Sequence, residues 1–458
     1  MTAVVDVLHR LAARHQVPGA QLAVHSGGRT ESVEYGELQH RSGPAVTGDA
    51  CFPVGSISKL FTATLAMILV ADGDLALDEP VRDLLDPAER ARIAPDLTLR
   101  HLLSHTGGLP SGPAPAEVRA TSPRRYLQDH CGGATLAPPG AFFSYSNLGY
   151  VLTGRLVEEV TGMGWQEAVT TILLAPLGIQ ARFLPENAAA VGAPPLATGH
   201  SVNPASGRTR PVRQSLVAAE APAGALAVSA TGLLSVGLLH LAPGRPRLLP
   251  PAYAAQMRAA VPGAEPYGLA DGWGLGLAVY PGGVVGHDGN AYGTSCHLRV
   301  DATEGWAISL TTNANSGTAM WPVLLDELAA LGIGPGSLLA GAAPLPTGPR
   351  PTPLVPSPRQ PAEDTALTAC VGRYLNGDTE YVVVDAAGGL WLSVDGDPYA
   401  RVALHPDLTF ELHDPETGRL VPGGRFLRAA TGAVERVQLG GRLASRDPAN
   451  TAARQLIA

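Results

Sequence analysis

The sequence predicts an α/β domain, residues 1–340, whose sheet is assembled from both ends of that stretch around a helical insertion. A linker at 341–363 and an antiparallel β domain at 364–458, plausibly a barrel, follow. Three observations predict this. Strand-like runs lie near both ends of the first 335 residues, with helical and loop patterns between them. Eight prolines fall between Gly341 and Pro361, which reads as a semi-rigid spacer. Beyond it, short β-patterned runs alternate with turns and no helical period.

In chain order, residues 3–15 carry apolar and charged side chains at helical spacing. Gln21–His25 alternates like a strand, and a second strand is expected near Glu31–Tyr35. A helix beginning at Ser56 runs to a break at Asp72-Gly73, and Leu60–Ala71 is almost wholly apolar, so that helix is expected to be central. Residues 75–225 read as mainly helical. Ala221–Pro243 is long and uncharged, but its Gly, Ala, Ser and Thr content favours a small-residue turn and a buried helix over a membrane span. Strands return at Gly274–Tyr280, His297–Val300 and Trp306–Thr312, and a helix from about Trp321 to Leu331 closes the domain. In the β domain the expected strands include Tyr381–Val384, Leu390–Val394, Leu408–Leu412, Gly424–Leu427 and Val434–Leu439.

The formal charge of -8 and the lack of a basic stripe exclude nucleic acid as a default partner. Cys51, Cys131, Cys296 and Cys370 are scattered and read as reduced, mostly buried thiols. The N-terminal stretch is an amphipathic helix with no apolar export core, so a cytoplasmic protein without a membrane partner is expected.

The chemistry centres on one residue. Lys59 is the only lysine among 32 cationic Lys and Arg residues. It follows Ser56 by three positions, which sets amine and hydroxyl one helical turn apart on one face. An arginine cannot release its proton in a protein, whereas a buried lysine can and then acts as a base. Two further segments carry suitable groups: Phe143-Ser144-Tyr145-Ser146-Asn147 offers a phenol and an amide, and Gly286-His287-Asp288-Gly289-Asn290 an imidazole flanked by glycines. Singly, Tyr145 would be a core aromatic and His287 a turn residue. His101 and His105 lack the intervening Glu of a zinc helix, and no metal site is expected. No Gly-x-Ser-x-Gly occurs, which excludes a nucleophile elbow.

Ser-x-x-Lys, Tyr-x-Asn and His-x-Gly in this order, with Arg100–Pro110, resemble the serine β-lactamase and penicillin-binding-protein superfamily over roughly residues 5–335. The resemblance implies Ser56 as nucleophile and Lys59 with Tyr145 as the proton-transfer pair. It further implies that Asn147 orients Lys59 and the acyl chain, that His287 stands in place of a lysine, and that the N–H groups of Ser56 and Asn290 form an oxyanion hole. Leu269–Leu277, Gly293–Arg299, Tyr374–Asp378 and Gly440-Gly441-Arg442 look like the penicillin-binding-protein-type thioesterases, the surugamide cyclase among them. That likeness extends into a lipocalin-like C-terminal domain. It implies release of a nonribosomal peptide as a head-to-tail macrolactam from a linear peptidyl thioester with a D-residue at the acyl position. The peptide would be borne on the phosphopantetheine of a peptidyl carrier protein, and the enzyme itself would need no cofactor. Trp273, Asp288, Gly289 and Arg442 are the expected substrate-binding residues, Arg442 reaching over from the β domain. The alternative is a D-stereospecific peptidase or esterase, or a β-lactamase-like hydrolase, using the same serine.

Overall fold

The computed structural model describes residues 2–113, 118, 122–132, 135–185, 192–203, 206–241, 248–334, 364–386, 389–413 and 420–447. The expected linker at 341–363 lies outside the described residues. Strands β1 (Gly19–Ser26) and β2 (Arg29–Gly36) form a hairpin near the N-terminus. Five later strands complete the sheet: β3 (Gly272–Trp273), β4 (Ala278–Val279), β5 (Val285–Gly289), β6 (Ser295–Asp301) and β7 (Trp306–Thr312). Their order is β2-β1-β7-β6-β5-β4-β3, so the two ends of the domain meet where β1 pairs with β7, Leu22 opposite Leu310. The expected strand at Gly274–Tyr280 is instead split. Gly276 adopts φ +82 and the Gly274 N–H bonds the Leu277 carbonyl, which makes a turn between β3 and β4.

Both faces of the sheet are covered, as a buried sheet requires. Helices α1 (Thr2–Arg14) and α5 (Gly317–Ala330) pack on one face through Leu8, Leu11, Leu324 and Leu328. Helix α4 (Ala230–Gly237) covers the other. The uncharged 221–243 stretch therefore resolves into a short helix at Ala221–Gly224, a strand at Leu226–Val228 and this buried helix.

Helix α2 (Ser58–Asp72) runs through the largest core with every residue from Ser58 to Leu69 buried, and Gly73 in the left-handed region ends it. Together with the preceding turn it is the one helix among the described residues long and apolar enough to cross a bilayer, and 78% of it is buried inside the protein. Helix α3 (Asn147–Thr161) lies against it, its N-terminus capped by the Ser146 hydroxyl.

The C-terminal domain is a closed antiparallel barrel of eight strands: β8 (Gly372–Asn376), β9 (Thr379–Ala386), β10 (Gly389–Val394), β11 (Asp397–Leu404), β12 (Thr409–His413), β13 (Leu420–Arg428), β14 (Val434–Leu439) and β15 (Arg442–Arg446). Closure pairs β8 with β15, which leaves no exposed edge. All four cysteines are free and buried.

Candidate active site

Ser56 sits in a single 3-10 turn, Gly55–Ile57, that leads into α2. Gly55 has φ +52, and a Cβ there would run into the Asn290 carbonyl, so only glycine lets this turn approach the loop after β5. Gly289 makes the matching approach from the other side: a Cβ would strike the Val54 carbonyl. Its bare backbone thus lets β5 pack against the nucleophile turn.

Lys59 is fully buried, and its Nζ reaches Ser56 Oγ at 3.3 Å and the Ala223 carbonyl at 2.9 Å. Among the described residues these two oxygens orient the amine, a task expected of Asn147. Asn147 instead lines the cavity, its N–H bonded to the Ser111 carbonyl at 2.9 Å. Burial lowers the Lys59 pKa from 10.5 to about 7; the Glu220 carboxylate opposes that change and Arg442 reinforces it. Near neutral pH the uncharged amine, a proton acceptor, is therefore within reach. Its nitrogen stands 4.9 Å from the centre of the Tyr145 ring. Burial pushes the Tyr145 phenol up to about 12, with Ser56 and Arg442 pulling the other way, so the phenol keeps its proton at neutral pH.

His287 is buried, its Nδ1 2.7 Å from the Asp288 carbonyl oxygen. Burial and then the Lys59 charge lower its pKa to about 4, which leaves an uncharged imidazole beside the amine. Asp288, expected to bind substrate, points to the opposite face of the sheet because side chains alternate along β5. There its carboxylate takes both arms of Arg299 at 2.8 and 2.9 Å and His297 Nδ1 at 2.8 Å. Burial raises this carboxyl, but Arg299 and His297 overcome it and hold it well below the usual range. Trp273, too, lies elsewhere than expected. Its indole is 3% exposed and stands behind the site, with ring centres 5.8 Å from Tyr145 and 5.5 Å from His287. It positions these two rings and does not line the cavity.

The cavity itself, about 360 Å³, opens above Ser56. Asn147, Glu220, Gly224, Asn290 and Tyr292 are among its walls. The barrel meets this site directly. The Tyr145 N–H bonds the Gly441 carbonyl at 2.9 Å, and Arg442 Nε donates to Ser111 Oγ at 3.0 Å. Asn376, fully buried, accepts from the Ser111 N–H at 2.8 Å and donates to the Leu443 carbonyl at 2.8 Å. Arg442 thus reaches the rim of the site from β15 and adds positive charge near Lys59.

Sequence reasoning set His105 aside as structural and overlooked Glu220. His105 stacks on Tyr145 at 4.3 Å, and its Nδ1 accepts from the Ser146 N–H. Its partner in the pair, His101, caps a different helix end through Thr98. The position of His105 in the segment after the nucleophile helix was its only signal. Glu220 had none, because its neighbours Tyr126 and Lys59 are distant in sequence.

A nucleophilic serine held one helical turn from a lysine of lowered basicity, on a helix framed by a mixed-origin sheet, defines a serine enzyme that works through an acyl-enzyme. The chain belongs to the β-lactamase family, whose model, described as Beta-lactamase, matches residues 4–332. Penicillin-binding protein 4 of Amycolatopsis lactamdurans is 34% identical over 362 residues, 76% of this chain and 93% of that protein. The crystal structure of SurE superposes with a TM-score of 0.81 at 37% identity, covering 97% of this chain and 99% of SurE. A second SurE structure contains D-Leu and superposes at 0.80. A D-stereospecific amidohydrolase from Streptomyces sp. matches at 28% identity and a TM-score of 0.55, over 69% of this chain and 94% of its own.

Proposed function

We propose that Ser56 takes a peptidyl group from a carrier-protein phosphopantetheine thioester and that the peptide leaves as a head-to-tail macrolactam. The observation that carries this reading is the extent of the SurE likeness: it runs through the barrel, as does the thioesterase resemblance in the sequence. Likeness to the amidohydrolase covers only 69% of the chain. The D-Leu in SurE and the stereospecificity in the amidohydrolase's name support a D-configured residue at the acyl position.

Neutral Lys59 takes the Ser56 proton as Oγ attacks the thioester carbon. Burial, which opposes formation of a Tyr145 phenolate, supports Lys59 as the base. Tyr145, protonated at rest, hands its proton to the leaving thiolate as it takes one from Lys59, and the reverse transfer restores Ser56. The N–H groups of Ser56 and Asn290 receive the oxyanion, each worth ~3 kcal/mol in such sites. The peptide's own amine then attacks the ester, and tethering gives it an effective concentration of up to ~10⁵ M or more when well oriented. The barrel, clamped on the Tyr145 segment, helps exclude water, which would otherwise compete. The cavity fits the acyl residue and the attacking amine, with the rest of the peptide outside. Such an enzyme would work in the cytoplasm beside the synthetase.

Incubation with linear peptide thioesters ending in a D-residue tests this by product mass. A cyclic product is the linear thioester less the whole leaving thiol, whereas the linear acid is one water heavier than the cyclic product. Exclusive hydrolysis across several peptides would defeat the cyclase reading and favour a D-stereospecific hydrolase, the reading that the amidohydrolase likeness supports.

A further inference from the structure

Glu220 ends the turn Ala218–Glu220, just before the segment whose Ala223 carbonyl holds Lys59. Its residue is 5% exposed, yet it lines the same cavity as Ser56 and Asn147. Oε1 accepts the Tyr126 hydroxyl at 2.5 Å. Among the described residues no arginine pairs with this carboxylate; the charges acting on it are those of Lys59 and His130. Gly112 packs over this pair, where a Cβ would stand 3.1 Å from the Tyr126 hydroxyl and 3.7 Å from Oε1.

A carboxylate removed this far from water needs a counter-charge or takes up a proton. Lys59 supplies only part of one, being uncharged for much of the time. A cation delivered by the substrate would complete the pair. We infer that Glu220 is the docking site for the primary ammonium at the N-terminus of the linear peptide, the end that becomes the nucleophile. This rests on the cyclase reading and assigns the residue that holds the attacking end. Burial raises the Glu220 pKa against the pull of Tyr126 and Lys59. The proton count closes. Of three ammonium hydrogens, one passes to Glu220, one stays on the amide nitrogen, and one returns through Tyr145 and Lys59 to Ser56 as the C–Oγ bond breaks.

The test is the ratio of cyclic to linear product, which is set after the acyl-enzyme forms and does not depend on its rate of formation. Glu220→Gln keeps an acceptor for Tyr126 but removes the charge, and should shift the ratio at least about tenfold toward linear acid. A wild type that cyclises while Glu220→Gln keeps its ratio sinks the docking site and spares the cyclase reading. A wild type that only hydrolyses removes both. If Glu220→Gln does not fold, inhibition of the wild type decides: N-acetylation of the linear peptide should weaken its inhibition about tenfold, and equal inhibition overturns the inference.

Discussion

The active site has two walls of different construction. The wall on α2 and β5 works through buried side chains whose proton affinities are displaced by their surroundings: Lys59 to about 7, His287 to about 4. The barrel wall touches the site through the Gly441 carbonyl, the Asn376 amide and one exposed arginine. The contrast separates tuning from holding. Burial sets the chemistry on one side, and hydrogen bonds from the barrel's main chain and side chains fix the Tyr145 segment from the other.

Substitution on the tuned wall should have the largest effect. Lys59→Arg keeps a cation that cannot give up its proton, and kcat/KM for acyl transfer should fall roughly 10³-fold. In the native enzyme that rate should rise with pH about a midpoint near 7 as Lys59 loses its charge. The stability sign follows from the same residue. An unfolded Lys59 holds its proton up to about 10.5 and the folded one releases it near 7, so the folded state gains stability as pH rises between these values and carries the full penalty below 7. Lys59→Met should therefore raise stability at pH 6 by up to about 4 kcal/mol, with the gain fading toward pH 10, as read from denaturant titrations.

Asp288→Asn comes next. It leaves Arg299 buried without its counter-charge and should cost about 2 kcal/mol, less than a fully enclosed pair because the Asp288 side chain is 39% open. Asn376→Ala strips the Ser111 N–H and the Leu443 carbonyl of their partners. A loss of about 2 kcal/mol, together with a severalfold slower acyl transfer, would mark the holding wall as functional. Unchanged turnover would reduce it to scaffolding. Arg442→Ala should act least. By removing a charge that lowers the Lys59 pKa, it should move the midpoint of the pH–rate profile upward by a few tenths of a pH step.

The tuned wall was largely legible in the sequence. Ser56 and Lys59 lie one turn apart on a visibly apolar helix, and local spacing fixes their relation. The sheet from both chain ends and the antiparallel β domain were legible as well, but the barrel strands at Gly372–Asn376 and Asp397–Leu404 were not among those expected. What local pattern did not carry was depth and facing. Trp273 looked like a ligand-facing aromatic but stands behind two catalytic rings. Asp288, adjacent to His287, belongs to the other side of the sheet by simple alternation. Glu220 became visible only when the chain brought it within the field of Lys59.

The joint between Tyr145 and Gly441 is made of peptide groups alone. At Gly441, with φ +74, a Cβ would strike Leu269, so the joint depends on glycine there as well as on the barrel's backbone path. Deleting or displacing the barrel would strand a peptide N–H at the heart of the catalytic machinery. The second domain is in that sense a spare part of the active site that cannot be detached without opening it.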